Sequence, residues 1–312
     1  MTTSTTAATA RPGRTSRGRA RAASAPGEPR LVAYLYILPA FLVYAAFLLY
    51  PLGRAVNLSF FDWDGLTVGA WVGFDNYVAV FTDERLRGAF LHAFVLMFFF
   101  AVLPLVIGLM LAAILHRARV RGLAFFRTVV FLPQVVAMVV VGVAWRRIYA
   151  VDGPLNSFLE TIGLGGGRAW LGDYALALPA VGLVGTWFET GLVTVLLLAG
   201  MGRIPLELYE AARLDGAGPI REFFAVTLPS VRAEIAVALT LTVIAALKTF
   251  DLIYIMTRGG PGRQTSVPSY EVYYQAFEIG RVGAASALGV CLAAVIFVIS
   301  FVINRIGDQE GR

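Results

Sequence analysis

Long apolar runs separated by short polar segments constrain this chain more than any other feature. Residues 31–52 carry no charged side chain. A helix of that length, rising about 1.5 Å per residue, spans a hydrocarbon core of roughly 30 Å. The composition, 58% hydrophobic and only 15% charged, lies far from that of a soluble domain. The sequence therefore predicts an all-α, polytopic membrane protein.

Further runs along the chain have the length and apolar character of membrane spans. We predict six transmembrane helices, at about residues 31–52, 89–115, 128–149, 174–201, 235–257 and 282–304. Pro104, Pro133 and Pro179 lie in or near these runs. Membrane helices tolerate proline where neighbouring segments satisfy the freed carbonyl groups, so we expect kinks or breaks at these positions.

Basic residues are distributed unequally between alternate connecting segments. If both termini are cytoplasmic, the inner segments hold 16 Lys and Arg against 8 acidic residues, whereas the outer segments hold 9 against 10. Positive side chains are retained preferentially on the cytoplasmic side. The asymmetry therefore predicts a multi-pass protein of the cell membrane, plasma or inner, with both termini cytoplasmic.

The first 30 residues differ from the rest of the chain. They contain six arginines among Thr, Ser, Ala, Gly and Pro and show no apolar periodicity. We predict a disordered basic cytoplasmic tail there and a second short cytoplasmic tail at residues 306–312. Basic runs also occur in nucleic-acid-binding segments, but no aromatic residue accompanies these arginines, so no nucleic acid partner is expected.

One polar, charged segment, residues 205–229, lies between the fourth and fifth predicted spans. Pro205 suits the first turn of a helix, and apolar residues recur after it at roughly helical spacing. Gly216 can end that helix, because glycine accepts the positive φ that such a turn requires. Ala211 and Ala212 leave the helix backbone open to close approach by a partner. The segment has the profile of a docking element.

This segment resembles the EAA signature of membrane permease subunits of binding-protein-dependent ABC importers. The matching positions are Glu210-Ala211-Ala212, Gly216 and Leu228-Pro229, with Val226 where isoleucine is commoner. The resemblance implies a coupling loop at residues 203–232, whose helix sits in a groove of a cytoplasmic ABC ATPase dimer. The residues that it assigns to ATPase coupling are Glu207, Glu210, Ala211, Ala212, Asp215, Gly216, Leu228 and Pro229.

A second set of motifs resembles the permeases of carbohydrate importers, particularly the first of their two membrane subunits. It includes TFDLIYIMTRGGPG at residues 249–262 and YQAFE at residues 274–278. The likeness covers about residues 34–305 and implies one permease domain at residues 31–305. It also implies a second homologous permease subunit, an extracytoplasmic sugar-binding protein, and a partner ATPase that holds ATP and magnesium. No cofactor is implied for this chain, and the identity of the sugar stays open.

Charged residues within membrane spans are costly unless they are paired or face water. Glu189 and Asp251 are such residues, and each lies beside aromatic side chains. An aromatic face next to hydrogen-bonding groups suits a hydroxyl-rich ring, so we place both in a solute path. Lys248 lies three residues before Asp251 and is expected on the same helix face, so a structural ion pair is the alternative. The candidate path residues are Trp187, Glu189, Thr190, Phe250, Asp251 and Tyr254.

The sequence offers no catalytic machinery. Its one lysine, Lys248, follows Leu247 rather than a glycine-rich loop, so the chain has no P-loop for ATP. Two histidines and one cysteine do not suffice for a conventional zinc cluster, and no GxSxG turn is present. We therefore expect a transport subunit with no catalytic residue and no metal site, not an enzyme. The alternative is an ion-coupled secondary carrier in which Asp251 or Glu189 binds a proton or sodium, against which the EAA-like segment argues.

Overall fold

The computed structural model describes residues 30–117 and 122–309. The predicted basic tail, apart from Arg30, lies outside the described residues, as do Arg119 and Arg121 in the predicted inner segment after the second span. The chain divides into two compact units, one ending at Leu52 and the other beginning at Gly53. The EAA-like segment and the predicted solute path both lie in the second unit.

The described residues are built almost wholly from α-helices, with π-helical turns at four places. The α-helices are α1 (Arg30–Tyr44), α2 (Tyr50–Leu58), α3 (Asp75–Thr82), α4 (Glu84–Met97), α5 (Leu103–Arg117), α6 (Leu123–Val135), α7 (Met138–Ile148), α8 (Pro154–Thr161), α9 (Ala177–Met201), α10 (Leu206–Leu214), α11 (Pro219–Glu222), α12 (Leu228–Ser230), α13 (Arg232–Leu247), α14 (Asp251–Met256), α15 (Pro268–Tyr273) and α16 (Val282–Gln309). The π-helical segments are π1 (Ala45–Leu49), π2 (Phe98–Val102), π3 (Phe223–Thr227) and π4 (Tyr274–Glu278). A two-stranded antiparallel sheet pairs β1 (Phe61–Asp62) with β2 (Ala70–Trp71). The predicted all-α class is confirmed, with this small hairpin as an addition.

Four helical stretches of the described chain are long and apolar enough to cross a membrane. They are Tyr34–Leu58, Glu84–His116, Ala177–Met201 and Val282–Ile306. Two helix pairs qualify only when taken together: α6 with α7, bent by 95°, and Pro219–Ser230 with α13, bent by 70°. The described residues thus hold four spans, or six if each bent pair is one span, as a polytopic membrane fold requires.

Two predicted spans are not continuous helices. The span predicted at 128–149 breaks at Val136 and Ala137, which both have extended backbone angles. Pro133 precedes the break, and a proline inside a helix removes one backbone hydrogen bond and crowds the preceding turn. The span predicted at 235–257 leaves the helix after Leu247 and resumes only in α14.

The ends of other spans also differ from prediction. The second span begins at Glu84 rather than near residue 89, and α9 begins at Ala177 rather than at 174. The last helix continues to Gln309, so the tail predicted from residue 306 is helical as far as the structure describes it.

Three of the π-helical segments end two residues before a proline. These prolines are Pro51 after π1, Pro104 after π2 and Pro229 after π3. Proline has no amide for the usual bond to the carbonyl four residues earlier, and its ring crowds that carbonyl. The wider π turn relieves the crowding without ending the helix. Pro179 lies in the first turn of α9, where no earlier turn is disturbed, so the break expected there is absent.

The core of the second unit forms where α9 packs against the π2 and α5 region and against α6. Gly185 lies against the ring of Phe100, so close that an added Cβ would lie 2.0 Å from it. Gly182 packs in the same way on Phe99, and Gly191 lies on the Val130 carbonyl. Small residues at helix contacts let backbones approach closely, which is the usual basis of helix association in membranes. These contacts fix α9, and with it Glu189, within the unit.

Candidate coupling loop and solute site

The EAA loop, residues 203–232, begins after α9. Pro205 precedes α10, where its missing amide breaks no helical hydrogen bond. After Leu214 the backbone reverses at Gly216, whose φ of 76° agrees with the prediction of a positive value. The Gly216 amide donates to the Arg213 carbonyl at 3.0 Å, which satisfies one of the free carbonyl groups at the helix end. The chain then enters α11 at Pro219.

Two side-chain contacts tie α10 to the turns that follow. Arg213 Nε donates to Glu222 Oε2 at 3.1 Å, and the Tyr209 hydroxyl lies 3.2 Å from Thr227 Oγ1. The hydrogen bond to Glu222 raises the pKa of Arg213, which keeps the guanidinium charged. Tyr209, Glu222 and Thr227 are buried. The loop is therefore a preformed unit with its interior polar groups paired.

The surface of the EAA loop presents most of the residues predicted to contact an ATPase. Its apolar side chains are also exposed, with Leu214 89% and Ile220 75% accessible. Single exposed apolar side chains are ordinary, but several on one loop indicate a protein contact. Leu228 and Pro229 lie deeper, half-buried at the start of α12. The predicted residues that are exposed are Glu207, Glu210, Ala211, Asp215 and Gly216, with Ala212 half-buried.

A cavity of about 900 Å³ separates the EAA loop from the end of α5. Its walls combine Met110, Ile114 and His116 of the α5 end with Leu206 and Tyr209 of α10 and with residues of α11 and π3. Beside the cavity the loop also packs on α5, because the Tyr209 and His116 rings lie 6.0 Å apart and Ile204 and Val231 of the loop pack with Ala112 and Leu115. The loop is therefore joined to α5 at these contacts and open to it across the cavity.

The three predicted path residues of α9 differ from one another in how far they are buried. Glu189 is 4% exposed, and Gln134 of α6 donates to the neighbouring Phe188 carbonyl at 2.9 Å. The Thr190 hydroxyl donates to the Thr186 carbonyl of its own helix at 2.6 Å. Trp187 is partly exposed and is therefore the most accessible of the three.

The second predicted group, at α14, is more open. Phe250 and Tyr254 stack with ring centroids 5.3 Å apart and an interplanar angle of 22°. Asp251 opens α14 and is exposed, as is Lys248. Because the helix is interrupted between them, the two charges do not lie on one helix face, and that prediction was wrong. No ion pair joins Lys248 to Asp251 in the described part of the chain.

Helix α7 contacts both groups. Its Trp145 contacts Trp187 at a centroid distance of 5.6 Å. Gly142 of the same helix lies against Ile255 of α14, and Arg146 approaches the Ile255 carbonyl at 3.5 Å. The sequence motifs singled out both groups but missed α7 as the element between them. Nothing in the local sequence marks a contact of this kind, because it depends on how the bent α6–α7 pair folds.

The GGPG loop, residues 258–281, is anchored by buried polar groups. Arg85 of α4 forms an ion pair with Glu271 at 2.6 Å, and Glu271 is 1% exposed. Ser266 Oγ donates to the same carboxylate at 2.6 Å, and the Ser266 carbonyl lies 2.9 Å from His92 Nδ1. Arg85 also lies over the Tyr274 ring at 4.5 Å. These contacts fasten the loop to α4, and sequence reasoning had not paired any of them.

The sequence matches a known protein family over almost its whole length. The family described as "Binding-protein-dependent transport system inner membrane component" matches residues 30–310. The chain belongs to this family. Membership confirms a multi-pass membrane protein that serves transport rather than catalysis and works with a binding protein. Among the described residues, no group of three or more His, Cys, Asp or Glu could hold a metal ion.

Individual relatives are similar over most of their length. The probable ABC transporter permease protein YurN of Bacillus subtilis is 38% identical over 285 residues, which cover 89% of this chain and 94% of that protein. The diacetylchitobiose uptake system permease protein NgcF of Streptomyces coelicolor is 35% identical over 287 residues, covering 86% and 81%. A chain in the crystal structure of a bacterial ABC transporter that imports the acidic polysaccharide alginate has a TM-score of 0.77. Its identity is 25%, and the match covers 89% of this chain and 96% of that one.

Proposed function

We propose that this chain is one of two membrane-spanning subunits of an ATP-driven importer for a sugar or oligosaccharide. The observation that carries the proposal is the EAA loop, a preformed turn whose apolar side chains face outward. Relatives that handle diacetylchitobiose and alginate support a carbohydrate as the class of solute. An ion-coupled carrier would have no use for such a docking loop.

The EAA loop is proposed to seat in a groove of a cytoplasmic ABC ATPase dimer. Leu214 and Ile220 supply apolar contact, and the exposed carboxylates of Glu207, Glu210 and Asp215 supply the polar rim. ATP and magnesium are held by that partner, because this chain has no P-loop. Closure of the ATPase pushes the loop as a unit, since Arg213 and Glu222 hold α10 to α11.

The solute path is proposed to run past α9 and α14. Trp187, Phe250 and Tyr254 offer ring faces to this path, and the exposed Asp251 offers a carboxylate. On α9 the proposed polar groups are Glu189, which is buried, and Thr190, which is half-buried. A second homologous permease subunit completes the path. The excess of arginine in alternate segments supports an orientation with the EAA loop and both termini in the cytoplasm and the GGPG loop outside.

Uptake measurements test the proposal. The complex is purified through a tag on this chain, reconstituted in proteoliposomes, and supplied with its binding protein. We expect at least one of diacetylchitobiose, maltose, trehalose or alginate oligosaccharide to accumulate. This accumulation should require ATP on the side of the membrane where the EAA loop lies. Uptake that persists without ATP and follows an imposed proton or sodium gradient contradicts the proposal. A Walker-lysine variant of the co-purified ATPase is the matched control and should abolish accumulation.

A further inference from the structure

Four aromatic rings form a continuous ladder from the proposed path into the GGPG loop. Phe250 and Tyr254 stack at 5.3 Å, and Tyr273 contacts them at 5.4 and 5.3 Å respectively. Phe277 continues the series at 5.5 Å from Tyr273. Tyr273 and Phe277 lie outside the set of path residues that the sequence indicated. We call Phe250, Tyr254, Tyr273 and Phe277 the aromatic ladder.

One side of the ladder rests on the core and the other is open. Phe250 and Tyr254 are partly buried and pack against the core of the second unit. Tyr273 is partly exposed, and Phe277 at the end of the ladder is 78% exposed. The rings are therefore held in place from behind while part of their surface stays accessible. An accessible, rigidly held aromatic surface is suited to stacking against a flat apolar ligand face.

Hydrogen-bonding groups border the ladder. The Tyr273 hydroxyl donates to Glu278 Oε1 at 3.3 Å, and the Arg258 guanidinium lies 5.7 Å from the centroid of the Tyr254 ring. A hydrogen bond to the Tyr254 side chain, together with desolvation and the charge of Glu278, raises the pKa of Tyr273 to about 12. The phenol carries one proton, which it donates to Glu278, and its oxygen lone pairs can accept a hydrogen bond from a ligand hydroxyl.

Charges around the ladder are not neutralised by one another. Lys248, Asp251 and Arg258 are exposed, and none of them belongs to an ion pair within the described ranges 30–117 and 122–309. Exposed charged side chains can reorient toward a polar ligand at little cost, because no buried partner is left behind. The ladder thus combines apolar ring faces with a border of donors and acceptors.

We propose that the aromatic ladder is a solute subsite in which Tyr273 stacks on one ring of an extended saccharide and hydrogen-bonds its hydroxyl groups. This inference rests on the proposed function and extends it, because it assigns recognition to the GGPG loop as well as to the spans. Phe250, Tyr254 and Tyr273 contact one another in a cluster, which Phe277 extends outward. Tyr273 and Phe277, with centroids 5.5 Å apart, are both accessible and together offer more ring surface than one sugar ring can cover. The subsite therefore favours chains of two or more sugar rings over monosaccharides.

A contact with the binding protein is the competing use of these rings. The saccharide is favoured because the ladder is continuous with Phe250 and Tyr254 of the path, where two of the four rings are half-buried. A protein interface would draw mainly on the exposed end at Phe277. The two uses differ in what they change. A solute subsite sets how much solute moves per ATP, and a protein contact sets how much binding protein is needed for half-maximal activity.

The test uses the complete transporter in proteoliposomes with its binding protein and the four sugars named above. In Tyr273→Ala we expect roughly a tenfold fall in sugar moved per ATP, the effect of losing one stacking contact. The binding-protein concentration for half-maximal ATPase stimulation should stay unchanged. Tyr273→Phe keeps the ring and should fall only about twofold, which separates loss of the hydroxyl from loss of stacking. The fall should be larger for alginate oligosaccharide than for a disaccharide where both are imported.

Several outcomes overturn the inference. A raised half-maximal binding-protein concentration in Tyr273→Ala, with sugar per ATP unchanged, assigns the ring to a protein contact. Unchanged transport in both variants removes any role for Tyr273. If Tyr273→Ala fails to assemble, Tyr273→Leu replaces it, and normal sugar per ATP in that variant also overturns the subsite. Phe81→Ala, at a 68% exposed ring on α3, is the matched control and should transport normally. Failure of the wild type to import any of the four sugars is a failure of the proposed function itself.

Discussion

The EAA loop and the GGPG loop are both polar segments between apolar spans, yet they are held to different degrees. The EAA loop exposes Leu214 and Ile220, and its buried Glu222 is paired with Arg213, whose side chain is 54% exposed. The GGPG loop buries Thr265, Ser266 and Glu271, and Arg85, which pairs with Glu271, is only 21% exposed. The two loops therefore differ most in how far water reaches the arginine of the pair.

The difference in anchoring indicates a difference in what each loop has to do. An ion pair near the surface contributes little to stability, about 0–1 kcal/mol. Removing one partner of a buried pair costs about 3–5 kcal/mol, because the other charge is left without compensation. In the GGPG loop, Arg258 and Arg263 also keep positive φ values of 50° and 71°, which only a firmly supported loop maintains. The GGPG loop is thus anchored by a buried pair, whereas the pair within the EAA loop is open to water on its arginine side.

Breaking the buried anchor should have the largest effect. We expect Arg85→Met to destabilise the protein by about 3–5 kcal/mol, because Glu271 is then a buried carboxylate without a cation. The fall in Tm of the purified complex in nanodiscs measures it. Arg85→Met combined with Glu271→Leu is the control and should recover part of the loss. A single variant as stable as the wild type means that the GGPG loop is not fixed by this pair.

Substitution of the turn glycine in the EAA loop should have an intermediate effect, and on transport rather than on stability. Gly216→Val places a β-branched residue at a φ of 76°, which costs roughly 1–3 kcal/mol of local strain. We expect about a tenfold loss of ATP-driven uptake with the subunits still assembled. Gly218→Val is the matched control, since Gly218 has a φ of −73° and open space around its Cα. Equal uptake by the two variants contradicts a strained turn at Gly216.

Breaking the ion pair of the half-exposed Arg213 should have the smallest effect. Arg213→Gln removes one charge that pairs with the buried Glu222 but leaves the Tyr209–Thr227 contact in place. We expect less than half the fall in Tm seen for Arg85→Met, because Arg213 is half exposed and water screens the interaction. Uptake should stay within about twofold of the wild type. An effect on Tm as large as that of Arg85→Met shows that the two loops are anchored alike.

Much of the fold could be predicted from local sequence. Span length, the turn at Gly216 and the helix start after Pro205 each depend on residues that are close in sequence. The interruption at Lys248 could not be predicted, because apolar residues resume directly after Asp251 and no glycine or proline marks the break. The Arg85–Glu271 pair and the place of Tyr273 in the ladder depend on contacts between distant segments. The sequence shows that residues 270–277 are rich in aromatic side chains, but which ring meets Phe250 follows only from how α14 and α15 pack.

The corner at Val136 and Ala137 has a consequence for how a cell makes this protein. Where α6 turns into α7 by 95°, backbone groups leave the helical pattern, and lipid cannot supply the hydrogen bonds that they lose. Protein or water therefore has to cover the corner in the membrane. We expect a surplus of the chain, synthesised without enough companion subunits, to be a substrate for membrane quality control. The amount of assembled transporter would then be set by its least abundant subunit. The fold of this chain therefore requires that the subunits be expressed in balanced amounts.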